Sequence, residues 1–164
     1  MAVTVRLEPM TQEQYDRYRP AAEADYGRNI AESGALAEAD ATARAAEDFA
    51  RLLPHGLASE GHVFLTAYDG ESGDEVGMLW LHLEPKSDGV HAFGYDFDVR
   101  EELRRRGYGR AVMVAAEEEC RRRGVVAVRL NVFGFNRGAQ ALYEEMGFEV
   151  TNVLMTKRLD GPAA

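Results

Sequence analysis

Residues 99–114, Val-Arg-Glu-Glu-Leu-Arg-Arg-Arg-Gly-Tyr-Gly-Arg-Ala-Val-Met-Val, carry the chain from an apolar strand through a basic glycine turn into a helix, and that order leaves few folds open. Gly107 and Gly109 let the backbone turn tightly and approach a ligand without a Cβ in the way. The helix that follows aims free N–H groups and the positive end of its dipole at whatever lies in front of it. Arg104, Arg105, Arg106 and Arg110 add positive charge at the same place. The combination suits a phosphate, although a glycine pair at a helix start also serves as a plain connector.

Two phosphate-binding patterns fail here. A dinucleotide fingerprint needs a third small residue at the next helical step and an acid closing the following strand, where Val112 and Asn131 stand. A Walker loop needs Gly-Lys-Ser/Thr, which the chain lacks. The run Arg104-Arg-Arg-Gly107-Tyr-Gly109 instead resembles the Arg/Gln-x-x-Gly-x-Gly/Ala signature of the GNAT family of N-acetyltransferases. Downstream, Leu130-Asn-Val-Phe133 is similar to that family's next strand, and Asn136-Arg-Gly-Ala-Gln-Ala-Leu-Tyr143-Glu-Glu-Met-Gly-Phe148 to its last helix. The resemblance covers roughly residues 90 to 159; the first 60 residues resemble the family only in their order of elements.

The 164 residues suffice for one domain with a real core, read as residues 1–160 with 161–164 as a tail. Hydrophobic residues make up 46% and charged ones 29%, and no apolar run approaches the about 20 residues of a membrane span, so neither a membrane nor a disordered chain is expected. Met1-Ala-Val-Thr-Val-Arg does not read as a signal peptide, and the single cysteine, Cys120, suits a reducing compartment; both point to the cytoplasm. Cys120 falls on the apolar side of a helix and is expected in the core. The net charge of −9 is split, with −12 over residues 1–98 and +3 over residues 99–164. An acidic half attracts cations and a basic half suits phosphates, while nucleic acid, which needs a basic footprint, is not an expected partner.

Val3–Leu7 alternates like a strand, and Thr11-Gln-Glu-Gln14 reads as a capping box opening a helix with Tyr15, Tyr18 and Ala22 on one face. Pro20 is expected to kink or end that helix, and Tyr26–Gly34 to be a loop. A second helix spans about Leu36 to Leu53, with Ala39, Ala43, Ala46, Ala50 and Leu53 as its stripe. His62–Tyr68, Val76–Leu83 and Val90–Val99 form an antiparallel meander; helix Gly109–Arg123, strand Val125–Phe133, helix Asn136–Met146 and strand Phe148–Leu159 follow, with Gly124 and Gly147 as helix-ending glycines. The fold class is mixed α/β. The resemblance implies a mostly antiparallel sheet of six to seven strands flanked by about four helices.

The chemistry implied by the resemblance is acetyl transfer from acetyl-CoA to a primary amine of a small molecule or peptide, by direct attack on the thioester. Tyr143 would be the general acid facing the CoA sulfur; its other reading is a core tyrosine in a helical stripe. By the same resemblance, the backbone of Phe97, Asp98 and Val99 would pair with the pantetheine arm, the Arg104–Arg110 turn including Tyr108 would hold the pyrophosphate, and Asn131 and Asn136 would contact the cofactor. Asn136 also fits a helix N-cap.

The base is open on the residues themselves. Asp96 and Asp98 alternate along Tyr95-Asp-Phe-Asp-Val99, so both project from one face and Tyr95, Phe97 and Val99 from the other. Paired carboxylates raise one pKa, or they bridge an arginine such as Arg129. His82 is a further candidate base, and the four histidines have no metal-ligand spacing, so no metal is implied. A cationic amine is the expected acceptor, and a homodimer stays open. The rival readings are a noncatalytic acyl-CoA-binding module of the same fold and a glycine-loop nucleotide-binding protein; the second lacks the lysine and metal carboxylates it would need.

Overall fold

Strand and helix alternate as the sequence suggests in the computed structural model, which describes residues 2–159; the tail at 161–164 lies outside them. The elements are β1 (Val5–Pro9), α1 (Gln12–Glu32), α2 (Glu38–Leu52), β2 (His62–Asp69), β3 (Glu75–Lys86), β4 (Gly89–Val99), α3 (Tyr108–Arg122), β5 (Val125–Leu130) and α4 (Arg137–Glu145). The sheet runs β1-β2-β3-β4-β5, antiparallel from β1 to β4 and parallel between β4 and β5. The mixed class and the four helices match expectation. The strand count among the described residues is five, below the expected six to seven, because residues 148–159 form no strand.

The first helix begins as read. Thr11 Oγ1 accepts from the Gln14 N–H at 3.2 Å while Gln14 Oε1 accepts from the Thr11 N–H at 2.9 Å. Gln14 is also a polar joint to the sheet: its Oε1 accepts from the Thr66 hydroxyl at 2.9 Å and its Nε2 donates to Tyr68 Oη at 2.8 Å. Pro20 does not end the helix: α1 continues to Glu32, so of the loop expected at Tyr26–Gly34 only Ser33 and Gly34 lie outside it. A proline in a helix interior costs about 3 kcal/mol, which the burial of Tyr15 and Ile30 and the packing of Tyr18, Ala22 and Tyr26 along the same helix offset. Gly27, read as a turn residue, is where α1 meets α2: a Cβ there would sit 3.5 Å from Ala45 Cβ.

In α2 the buried stripe is Ala41, Ala45, Asp48 and Phe49, leading on to Leu53. Of the expected stripe only Leu53 is buried, and Ala39, Ala43, Ala46 and Ala50 are exposed. Alanines occur all round this helix, so its phase is set by Phe49, its one large apolar residue before the last turn, which packs edge-on to Trp80 at 5.5 Å.

Helices α1 and α2 cover one face of the sheet through Tyr15, Phe49, Leu53, Phe64, Met78 and Trp80. Helix α3 covers the other, with Ala116 and Cys120 against Leu65, Leu79, Leu81 and Ala92. Cys120 is thus a core residue as expected, and burial pushes its thiol pKa up. Each such large side chain removed from water contributes about 1.5–3 kcal/mol.

One irregularity positions the site. Trp80 pairs with Asp96 and Leu81 with Gly94, so Tyr95 is an extra residue in β4. The bulge overturns the expectation that Tyr95 shares a face with Phe97 and Val99. Tyr95 stacks on Trp80 at 4.7 Å, on the α1 side, where Asp96 also lies, whereas Phe97 and Val99 pack on the α3 side.

Candidate functional site

Strands β4 and β5 pair from Val90 opposite Val125 to Gly94 opposite Leu130, and there the pairing stops. β4 runs on through Tyr95–Val99 with no partner on that side, while β5 ends at Leu130, short of the expected Phe133. Two parallel strands therefore part at their C-terminal ends. The bulge at Tyr95 turns β4 at the point of parting. The slot that opens lies between the Tyr95–Val99 main chain and the segment holding Asn131, which is exposed.

At the foot of β4 the chain makes a short turn of 3-10 helix, Glu101–Leu103, and enters α3. Arg105 has φ +62° and Gly107 φ +92°, so the turn uses the left-handed region twice in three residues. That conformation suits Gly107 and is strained at Arg105. The first helical bond of α3 runs from the Ala111 N–H to Gly107 O at 3.1 Å. The N–H groups of Tyr108, Gly109 and Arg110 precede it and have no acceptor within the helix. The space a Cβ would take at Gly107 is open except for Val3 Cγ2 at 3.9 Å, whereas at Gly109 it would lie 3.3 Å from Leu142 Cδ2. Gly107 thus keeps the turn accessible, and Gly109 admits α4 against the start of α3.

The basic residues of the turn divide. Arg104 is committed to its surroundings, donating through Nε to Val99 O at 2.9 Å and pairing with Asp98 at 3.0 Å. Arg110 lies 3.6 Å from Glu145 on α4. Arg105 and Arg106 are exposed. Tyr108 donates its hydroxyl to Asp69 at 2.8 Å, which ties the turn to the end of β2 and leaves only its main chain toward the helix start. Arg106, Gly107 and Arg110 also border a groove of about 570 Å³ between α3 and β1, so the turn stands between slot and groove.

Asp96 and Asp98 share a face as expected; Asp98 bridges an arginine, Arg104 in place of Arg129, whereas Asp96 pairs with none. The Tyr18 hydroxyl donates to Asp96 Oδ2 at 2.6 Å, and the Phe97 N–H donates to Oδ1 at 2.9 Å. Burial raises the Asp96 pKa above the usual carboxylate value; the Tyr18 bond works against that, and the Asp98 charge adds to it. Burial, then the Asp96 charge, pushes the Tyr18 phenol well above its ordinary value. Arg129 lies elsewhere, opposite Phe93 on β5. Tyr18 is the site residue that the sequence reading missed. Its signal was its place on the apolar face of α1, with a hydroxyl that a buried tyrosine must satisfy.

Tyr143 is half-buried on α4, with its ring 6.4 Å from Phe97 and 5.5 Å from Phe148. Burial, with the Asp96 charge second, pushes its pKa up to about 12, so the phenol stays protonated in the neutral range. Asn136 caps α4, its Oδ1 accepting from the Ala139 N–H at 3.2 Å. His82 packs at 4.5 Å on His62 instead of beside the carboxylates. Among the described residues no group of three or more His, Cys, Asp or Glu is placed to hold a metal. Nor, among them, is any helix long and apolar enough to cross a membrane.

The model of the acetyltransferase (GNAT) family matches residues 12–148. The chain belongs to the GNAT acetyltransferase family. The N-acetyltransferase YycN of Bacillus subtilis (strain 168) is 34% identical over 157 residues, 96% of this chain and 100% of that one. Its crystal structure has a TM-score of 0.91 at 33% identity, covering 96% of this chain and all of the other. A second N-acetyltransferase of the same organism, YdgE, is 29% identical over 153 residues, 93% of this chain and 97% of that one. Mycothiol acetyltransferase of Paenarthrobacter aurescens (strain TC1) is 34% identical over 119 residues, 71% of this chain but 34% of the longer protein. As a GNAT acetyltransferase, the chain is an enzyme that transfers an acyl group, and the parted strands and glycine turn lie within the matched span.

Proposed function

We propose that the chain transfers an acetyl group from acetyl-CoA to a primary amine that carries positive charge. The observation that carries this reading is the parting of β4 from β5 at Gly94 and Leu130, in a strand that leads through a glycine turn to a helix start whose first three N–H groups have no acceptor within the helix. The residues fit the donor: the open space at Gly107 and the exposed Arg105 and Arg106 suit a pyrophosphate, and the β4 edge at Phe97, Asp98 and Val99, which β5 does not pair, suits an amide-bearing arm. Asn131 is exposed, and Asn136, whose Oδ1 caps α4, retains its amide N–H groups for a ligand. When bound, acetyl-CoA supplies a thioester carbonyl activated toward amines.

Asp96 then serves as the base. Its raised pKa brings a carboxylate closer to the range in which it can accept a proton from a bound ammonium, and Tyr18 fixes its orientation. Tyr143, its ring 6.4 Å from that of Phe97, holds a proton at Oη that a departing thiolate would need. Asp98, paired with Arg104, joins the carboxylate face to the turn and adds negative charge beside Asp96.

A cationic acceptor is favoured by the −12 balance of residues 1–98, which include Asp96, Asp98 and the helices over their face. Thiol release measured with polyamine-like, neutral and acidic amines at low and high salt tests this. The expected result is the highest kcat/KM for cationic amines, falling as salt rises. A preferred acceptor of net negative charge, or a rate indifferent to ionic strength, would overturn the acceptor class; no thiol release with any amine would overturn the donor reading.

A further inference from the structure

The groove of about 570 Å³ between α3 and β1 has two unlike walls: the chain entering β1, Ala2–Val5, and a face of α3 made of Arg110, Ala111, Val114, Ala115 and Glu118. The strand wall is a free sheet edge, since β1 stands first in the strand order and pairs with β2 alone. The Gly70 N–H donates to Thr4 O at 2.9 Å and the Met10 N–H to Phe64 O at 3.0 Å, so Thr4 and Met10 turn their main chain toward β2. Main-chain direction alternates along an antiparallel ladder. Arg6 and Glu8 therefore face β2 as well, and Val5 and Leu7 present their N–H and C=O groups to the open side.

The helix wall is apolar at its middle and oppositely charged at its ends. Val114 is 44% exposed, although Val112 and Met113 beside it are buried. Arg110 lies one turn before it and Glu118 one turn after, both exposed. The ion pair of Arg110 is a long one, 3.6 Å to Glu145, and Glu118 has no ion pair or side-chain hydrogen bond among the described residues. Helix α3 connects the parallel strands β4 and β5, so it runs against β4, and three antiparallel steps across the sheet make that the direction of β1.

We propose that a second copy of this chain docks on this edge about a two-fold axis, with Val5 opposite the partner's Val5 and the α3 helices antiparallel across Val114. One rotation serves both walls because α3 and β1 point the same way. Val5 exchanges its two main-chain hydrogen bonds with the partner's Val5, and Leu7 does so with the partner's Val3. On the helices, Arg110 meets the partner's Glu118, Glu118 meets the partner's Arg110, and Val114 covers the partner's Val114. A row that reads cation, apolar, anion complements itself only when reversed, which favours a second copy over an unlike protein. The strand register opposes no like charges, since Arg6 faces the partner's Thr4 and Glu8 the partner's Ala2. Arg106 and Gly107 border the same groove, so the glycine turn stands at the rim of this contact. The pairing does not depend on what that turn binds.

Sedimentation of the full chain, together with amide hydrogen exchange, tests the pairing. The expected mass is twice the 18.2 kDa of one chain, with the Val5 and Leu7 amides protected although β2 does not bond them. Arg110→Glu and Glu118→Arg each set like charges opposite one another at exposed positions. Each should halve the mass with unchanged circular dichroism and free the Val5 and Leu7 amides to exchange. The double variant carrying both changes reverses the row and should recover the doubled mass, which a misfolded chain would not do. A wild type that sediments as a single chain overturns the pairing. So does a dimer that persists in either single variant, a dimer whose Val5 and Leu7 amides exchange freely, or a double variant that stays single.

Discussion

The indole N–H of Trp80 donates to Nδ1 of His62 at 2.9 Å, which fixes the imidazole as a neutral ring with its proton on Nε2. Burial, with the neighbouring His82 second, lowers the His62 pKa from 6.5 to about 4. A base whose folded pKa lies below its unfolded one contributes stability that is present above pH 6.5 and is lost as pH falls toward 4. Gln at this position keeps an acceptor for Trp80 and does not titrate. His62→Gln should therefore lose less stability than the wild type between pH 7.5 and 4.5, read as the shift in urea midpoint. Parallel losses in the two proteins would show that His62 is not the group that charges.

Asp96 has the opposite sign. A carboxylate whose folded pKa is raised favours the fold below its unfolded pKa, and that contribution is lost as pH rises through the folded value. At neutral pH the charge is a cost, so Asp96→Asn should unfold no earlier than the wild type, and its advantage should shrink toward pH 4. Turnover should fall by about 10²–10⁴ if the carboxylate is the base. A variant that melts earlier and keeps its activity would make Asp96 a structural residue.

Tyr18→Phe removes a hydrogen bond that favours the ionised form of Asp96. The acid limb of the kcat/KM profile should then move to higher pH, while the aromatic packing of Tyr18 on Phe64 at 6.1 Å survives. An acid limb that stays in place would detach Tyr18 from the chemistry.

Tyr143→Phe should lower turnover by about 10²–10⁴ with donor affinity nearly intact, since the ring and its contacts with Phe97 and Phe148 remain. Full activity would leave Tyr143 as a packing residue of α4.

Gly107→Val should reduce CoA affinity by more than tenfold in calorimetry, because a β-branched residue is strained at φ +92° and fills the open side of the turn. Gly109→Ala should act mainly on stability, by pressing on Leu142. Equal CoA affinity in wild type and Gly107→Val would remove this turn from donor binding.

The features legible in the sequence are those made by neighbours in the chain. The Thr11–Gln14 box, the turn at Gly107, the Asn136 cap and the helix-ending Gly124 and Gly147 all depend on a few consecutive residues, and all stand where the sequence puts them. The features that escaped depend on distant partners. Tyr18 and Asp96 are 78 positions apart, and only the folded sheet brings them together. The phase of α2 follows Trp80 on β3, and Pro20 is tolerated because of what α1 packs against. The extra residue at Tyr95 is a property of β4 relative to β3, so a reading of β4 alone assigned Tyr95 to the wrong face while placing Asp96 and Asp98 together correctly.

That extra residue divides β4 into two lengths that answer to different neighbours. Before it, His91–Gly94 keeps step with β5 as well as β3; after it, Asp96–Val99 keeps step with β3 alone. Mutation can thus work on the aromatic stretch at Phe93 and Tyr95 without turning Asp96 away from Tyr18. Deleting Tyr95, by contrast, would set Gly94 and Asp96 in plain register opposite Leu81 and Trp80: Phe93 and both carboxylates would keep their faces, while the ring stacked on Trp80 and the bend where β4 leaves β5 would be lost. The bulge therefore bears on the width of the opening between β4 and β5, and the alternation after it bears on the carboxylates, so the two can change independently.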